Sequence, residues 1–156
     1  MTFNAGMKLS DVFSNYFVVR AQMVELLKKL SPQQYEWTPP NHKSSIRSIL
    51  THVAIVEHFF MECVHRGKAV KLDYSKFIEA GTLDEFLPLL EDEHRRFTAY
   101  LNEQEIDDWD RVFYEVGPDE KVSKRWLVWN LVEHQARHRG QILMLMRMQG
   151  VEFKDV

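Results

Sequence analysis

Apolar residues recur at spacings of three and four along four long stretches of the chain, the pattern of amphipathic helices rather than of alternating strands. In the first stretch Phe13, Tyr16, Val19, Met23, Leu26 and Leu30 form the stripe, with Ser10 placed to cap it and Asp11 in its first turn. Ser31 and Pro32 end it. The segment that follows, to about Lys43, carries Pro32, Pro39 and Pro40 and reads as an ordered excursion that is not a helix. Ser44 or Ser45 caps the second helix, whose stripe runs through Ile49, His52, Val56, Phe59 or Phe60, and Cys63 to a stop at Gly67.

Thr82 and Glu85 make a capping-box pattern for the third helix, with Leu83, Leu87, Leu90, His94, Phe97 and Leu101 as its stripe. Pro88 removes a backbone bond there and predicts a kink or a later effective start. Val112-Phe-Tyr-Glu-Val116 predicts a short extended piece before a turn at Gly117-Pro118-Asp119. Ser123 caps the last helix, which runs about 26 residues to Gln149 and stops at Gly150.

Four such helices bury their stripes most simply as an all-α four-helix bundle, one domain over residues 1–156. The linker between the second and third helices spans roughly 15 residues, which at ~3.3 Å each reaches farther than the ~30 Å of a 20-residue helix. It is long enough to cross the whole bundle, so an up-down-up-down order is not forced.

Composition narrows the chemistry. With 20 Lys+Arg against 23 Asp+Glu the net charge is −3, which supplies no field for nucleic acid or an anionic membrane. The longest apolar run, Ile142 to Met146, is far short of the ~20 residues that cross a bilayer. The first residues carry no apolar h-region, so no signal peptide is expected and a cytoplasmic protein follows. Cys63 is the only cysteine, so a metal site must be built from His, Asp or Glu.

The last helix supplies such a site. Asn130, His134, His138 and Gln141 are spaced by 4, 4 and 3 and share one face, flanked by Leu127, Leu131, Ile142 and Leu145, so two imidazoles are expected to point towards the core. Histidines at i and i+4 can converge on one ion. Two unpaired rings buried side by side cost roughly 1–3 kcal/mol each unless something satisfies them. His52, on the inward stripe of the second helix, is the third candidate ligand. Three neutral imidazoles with an open position match a catalytic rather than a structural zinc site, and they also suit nickel, iron or copper.

Other residues carry weaker signals. His94 reads as a core histidine, with a role beside the metal ligands as the alternative, while His42, His58 and His65 read as solvated. Glu62-x-x-His65 and Glu91-x-x-His94 match the repeated element of di-iron carboxylate bundles, but His65 points roughly 140° away from His52, so that reading ranks below the three-histidine site. Cys63 reads as packing, and Arg139 as a salt bridge or an anion contact in equal measure. Pocket walls are expected from the 31–43 linker and from the stretch between Trp109 and Val122.

The chain resembles the DinB/YfiT-like superfamily of metal-dependent enzymes. The resemblance rests on Ser45-Ile-Arg-Ser-Ile-Leu-Thr-His52-Val-Ala-Ile-Val-Glu-His58 and on Glu133-His134-Gln-Ala-Arg-His138-Arg-Gly-Gln141, and with helix order and length it covers essentially the whole chain. It implies a four-helix bundle of up-down-down-up order, a homodimer, and a divalent metal, usually zinc or nickel, held at His52, His134 and His138. Relatives of that kind include S-transferases that use low-molecular-weight thiols such as bacillithiol or mycothiol, a thiol-dependent maleylpyruvate isomerase, and hydrolases. A bound ion would lower the pKa of water or of an incoming thiol. Asn130 and Gln141 are then candidates for hydrogen bonds to ligand imidazoles, substrate or a thiol cofactor. The competing class is a metal-binding or structural bundle without turnover that uses its helix faces to dimerise. The charge balance gives no support for a role on DNA, whatever the family name suggests.

Overall fold

The computed structural model of the chain describes residues 7–105, 110–117 and 120–153. The first predicted helix is broken: α1 (Leu9–Val12) and α2 (Ser14–Leu27) meet at Phe13, whose φ of −106° and ψ of 24° interrupt the helix. Ser10 lies inside α1 and is not its cap. The helix starts early because Lys8 is pinned in an isolated antiparallel bridge with Glu105, Leu9 N donates to Gln104 O at 3.0 Å, and the Asp11 carboxylate accepts from Lys8 N at 3.3 Å.

Pro32 begins a helix that the sequence reading excluded. In α3 (Pro32–Glu36) the Ser31 hydroxyl accepts from Gln34 N, and proline occupies a first-turn position where no backbone N–H is needed. Next, α4 (Ile46–Arg66) starts at Ser45, whose hydroxyl accepts from Ser48 N at 3.2 Å. It stops at Gly67, held at φ 64° in the left-handed region that suits a residue without Cβ. The crossing that follows contains α5 (Ser75–Glu79), which buries Phe77 completely. Then α6 (Leu83–Glu103) begins at the Thr82–Glu85 capping box, and Pro88 sits exposed inside it without delaying its start.

The expected extended piece is β1 (Val112–Gly117), paired antiparallel with β2 (Glu120–Ser123). Pro118 and Asp119 of the expected turn lie outside the described residues. Finally α7 (Lys124–Met148) starts where the Ser123 hydroxyl accepts from Trp126 N at 3.1 Å, and Gly150 follows it at φ 74°.

Two clusters of buried apolar side chains fix the wiring. One takes Met23 and Leu26 from the end of α2, Ile49 and Val53 from the start of α4, Phe86 and Leu90 from the start of α6, and Leu145 from the end of α7. The other takes Leu9 and Phe13, Met61 and Cys63, Phe97 and Leu101, and Leu127 and Leu131, the opposite halves of the same helices. Helices α2 and α7 therefore run one way, and α4 and α6 the other. Side-chain bonds agree, since His58 meets Glu93 and Glu62 meets Arg96 in parallel register. This is the up-down-down-up bundle, with residues 67–82 returning along its length. Each fully buried leucine or phenylalanine in these clusters contributes about 1.5–3 kcal/mol of transfer free energy. No described helix is long and apolar enough to cross a membrane.

Candidate metal centre

The antiparallel contact of α4 with α7 brings His52 against His134 and His138. The Nε2 atoms of His52 and His134 are 3.0 Å apart. Ring centroids lie 4.9 Å apart for His52 and His134, 5.0 Å for His52 and His138, and 4.4 Å for His134 and His138. One nitrogen from each ring lies within 4.8 Å of the others. Three ligands at ~2.1 Å from a tetrahedral ion stand about 3.4 Å from one another, so this donor set fits a single divalent ion after small side-chain movements. Among the described residues no other three His, Cys, Asp or Glu side chains converge in this way, and the Glu-x-x-His elements do not assemble.

The cluster is not in the core. His52 is exposed and His134 and His138 are half-buried, because the most buried line of α7 runs through Leu127, Leu131, Gln135, Ile142 and Leu145, to one side of the histidines. The expectation that these rings point inward is corrected to a site at the rim of the α4–α7 contact, reachable from solvent.

Burial favours the ligating, neutral form of His134 and His138. Partial burial, aided by the neighbouring His138 and His52, pushes His134 down to about 4. Burial also lowers His138, against the opposing hydrogen bond to Gln141. Neutral imidazole is the form that binds metal. The Gln141 side-chain oxygen lies 2.6 Å from His138 Nδ1 and accepts its proton, which leaves Nε2 with its lone pair free. His134 Nδ1 is buried without a partner. Asn130 is half-buried one turn before His134 and takes part in none of the hydrogen bonds of the three rings.

Sequence reasoning missed a polar layer across the middle of the bundle. Arg20 of α2 donates to the Gln135 side-chain oxygen and to Leu90 O, Gln135 Nε2 donates to Glu57 at 2.9 Å, and the Arg20 guanidinium is 3.6 Å from the same carboxylate. Glu57 is fully buried and pushed up to about 7 by that burial, against the opposing effect of Arg20. The signal was present: Glu57 continues the buried line of Val53, Ala54 and Met61 along α4, where a carboxylate has no business unless it is held.

His58 is another correction. Only 14% of its side chain is exposed, and Nδ1 lies 2.8 Å from Glu93, a carboxylate that also meets Arg96 and Lys76. It faces α6 because α4 is covered on two sides. His42 and His65 are exposed, as expected. His94 packs against Tyr16 and Phe17 with Nδ1 unpartnered, and burial pushes it down to about 3. Cys63 is buried and free.

His138 also lines a cavity of about 280 Å³ between α2, α4 and α7. Val19, Met23, Leu50, Val53 and Ile142 supply apolar walls, and Asn15, Tyr16, Arg20, Gln135, His138 and Arg139 its polar groups. No residue of the 31–43 linker or of the stretch from Trp109 to Val122 lines it, so the expected walls are replaced by helix faces. The Nε and one terminal nitrogen of Arg139 are buried with no acceptor. An unmade hydrogen bond of that kind costs about 1–3 kcal/mol, more for a charged group.

Residues 18–142 match the family model of the DinB superfamily, and the chain belongs to that superfamily. It is 21% identical over 141 residues to a Bacillus subtilis (strain 168) protein, uncharacterized protein YjoA, covering 90% of each chain. The crystal structure of YjoA, described as a DinB-like protein, superposes with a TM-score of 0.70 at 20% identity, over 94% of this chain and 96% of that one. That likeness shows the fold.

Proposed function

We propose that the protein is a metal-dependent enzyme of the S-transferase or hydrolase type, with His52, His134 and His138 holding one divalent ion, zinc or nickel. The observation that carries this reading is the convergence of three imidazoles from two helices at a solvent-reachable rim, bordering an apolar cavity. A structural site closes its fourth position with protein, whereas three ligands leave it open to water or substrate.

A bound divalent ion supplies Lewis acidity that makes hydroxide or thiolate available at neutral pH. The chain's own residues do the rest. His52, His134 and His138 each present one ring nitrogen. Gln141 holds the His138 ring in one tautomer. The apolar walls of the cavity exclude water from whatever binds there. Glu57, whose carboxyl burial pushes up to about 7, is bonded by Gln135 and does not line the cavity.

The test has two stages. Metal analysis of the purified chain should return one ion per protomer, lost in His134→Ala; unchanged stoichiometry in that variant sinks the site. The metal-loaded protein is then screened with low-molecular-weight thiols and electrophiles, and with ester and amide substrates. Metal bound at full occupancy with no turnover in either screen would leave a metal-binding bundle without catalysis.

A further inference from the structure

We propose that the cavity between α2, α4 and α7 is a binding site for a small monocarboxylic acid with an apolar body, and that Arg139 receives its carboxylate. Two arginines line this cavity, and they differ in what they already hold. Arg20 is engaged by Gln135, Leu90 O and the Glu57 carboxylate. Arg139 lines the cavity, has no ion-pair partner among the described residues, and has no acceptor at Nε or at one terminal nitrogen.

A half-buried cation with no ion-pair partner on the wall of an apolar cavity is complementary to an anion that brings an apolar body with it. One uncompensated positive charge matches a monoanion; a phosphate dianion would need the second guanidinium, which Glu57 occupies. Size points the same way. At about 280 Å³ the cavity falls just below the ~300–1,000 Å³ of small-molecule pockets, room for an aryl or short alkyl acid but not for a nucleotide or a peptide. The walls of Val19, Met23, Leu50, Val53 and Ile142 offer the body no hydrogen bond.

Arg139 follows His138 directly, and both line the cavity. A ligand anchored at Arg139 is therefore held beside the imidazole cluster. That adjacency matters for chemistry only if the metal reading holds, whereas binding itself does not depend on it.

The test is calorimetric titration of the full chain with phenylacetate and with the uncharged 2-phenylethanol, on protein treated with chelator and on protein reloaded with zinc. Phenylacetate should bind the metal-free chain at least tenfold more tightly than the alcohol. Arg139→Met should lower phenylacetate affinity about ten- to hundredfold, the loss expected for charge-assisted hydrogen bonds, and leave the alcohol unchanged. Ala136→Phe, at an exposed position on the cavity wall, should weaken both ligands together without requiring the core to expand. Equal affinity for acid and alcohol, or an Arg139→Met variant with undiminished preference for the acid, overturns the proposal. So does acid binding that appears only with zinc and survives Arg139→Met, which would put the carboxylate on the ion. A chain that takes up no zinc but binds phenylacetate through Arg139 would retire the metal reading and keep this one.

Discussion

The Nε2 atoms of His52 and His134 lie 3.0 Å apart although 82 residues separate them in the chain. Only a folded bundle makes this contact, so an ion that binds both rings binds the native state and stabilises it by mass action. At a hundredfold excess over its dissociation constant zinc should add about 2.7 kcal/mol, or roughly 5–10 °C in Tm for a chain of this length. His52→Ala and His134→Ala should each abolish the shift, and chelator should reverse it in the native sequence. Differential scanning fluorimetry with and without zinc reads this directly.

The hydrogen bond from His138 Nδ1 to Gln141 separates the two polar residues that share the histidine face. Gln141→Leu should weaken zinc binding about tenfold, the lower end of the range for such a supporting contact, because Gln141 is exposed and water can take its place. Asn130→Ala should change it less than twofold. Competition against a chromogenic chelator measures both, and a larger effect at Asn130 would reverse their roles.

Glu57 makes stability depend on pH. Its carboxyl is pushed up from 4.5 to about 7 in the folded chain by burial, so between those values the native state keeps a proton that the unfolded state releases. Its contribution is fully present below about pH 4.5 and is lost as pH rises through 7, a change of roughly 3 kcal/mol. Glu57→Gln removes this term, so its stability relative to the native sequence should improve from pH 5 to about pH 7 and then level off. Urea unfolding at pH 5, 6, 7 and 8 tests the sign, and a difference that stays constant across the series would refute it.

The same small substitution should act oppositely at two glycines. Gly67 ends α4 at φ 64°, so Gly67→Ala should destabilise the chain by about 1 kcal/mol although a Cβ there meets nothing within 4 Å. Gly140 lies within α7 in equally open space, and Gly140→Ala should stabilise by up to ~1 kcal/mol. Denaturant midpoints compare the two, and matching signs would show that backbone conformation is not what distinguishes them.

What was legible in the sequence follows from how local each signal is. The cap at Ser45, the box at Thr82 and Glu85, the cap at Ser123 and the stop at Gly67 are decided within a few residues, and all of them stand in the structure. The i, i+4 pair of His134 and His138 is equally local. Helix α1 was misjudged because its start depends on Glu105, far along the chain. A single apolar stripe could not describe α4, which packs on α6 and α7 at once: His58 faces one neighbour, His52 stands at the edge of the other, and Glu57 is buried between them. Arg20, Glu57 and Gln135 come from three helices, and no spacing within one helix announces a bond between them.

Because α4 and α6 run in parallel, the central helix of the bundle shares no hairpin with either of its long partners. His58 and Glu93 are 35 residues apart, and His52 and His134 are 82. A chain wired in this way cannot make the contacts of α4 with α6 and α7 from local hairpins; it must close long loops before those contacts repay their entropy. The protein should therefore refold over milliseconds or longer, rather than the microseconds reached by bundles of local contacts. Before that collapse, a metal ion would find only the two histidines of α7 within reach of each other.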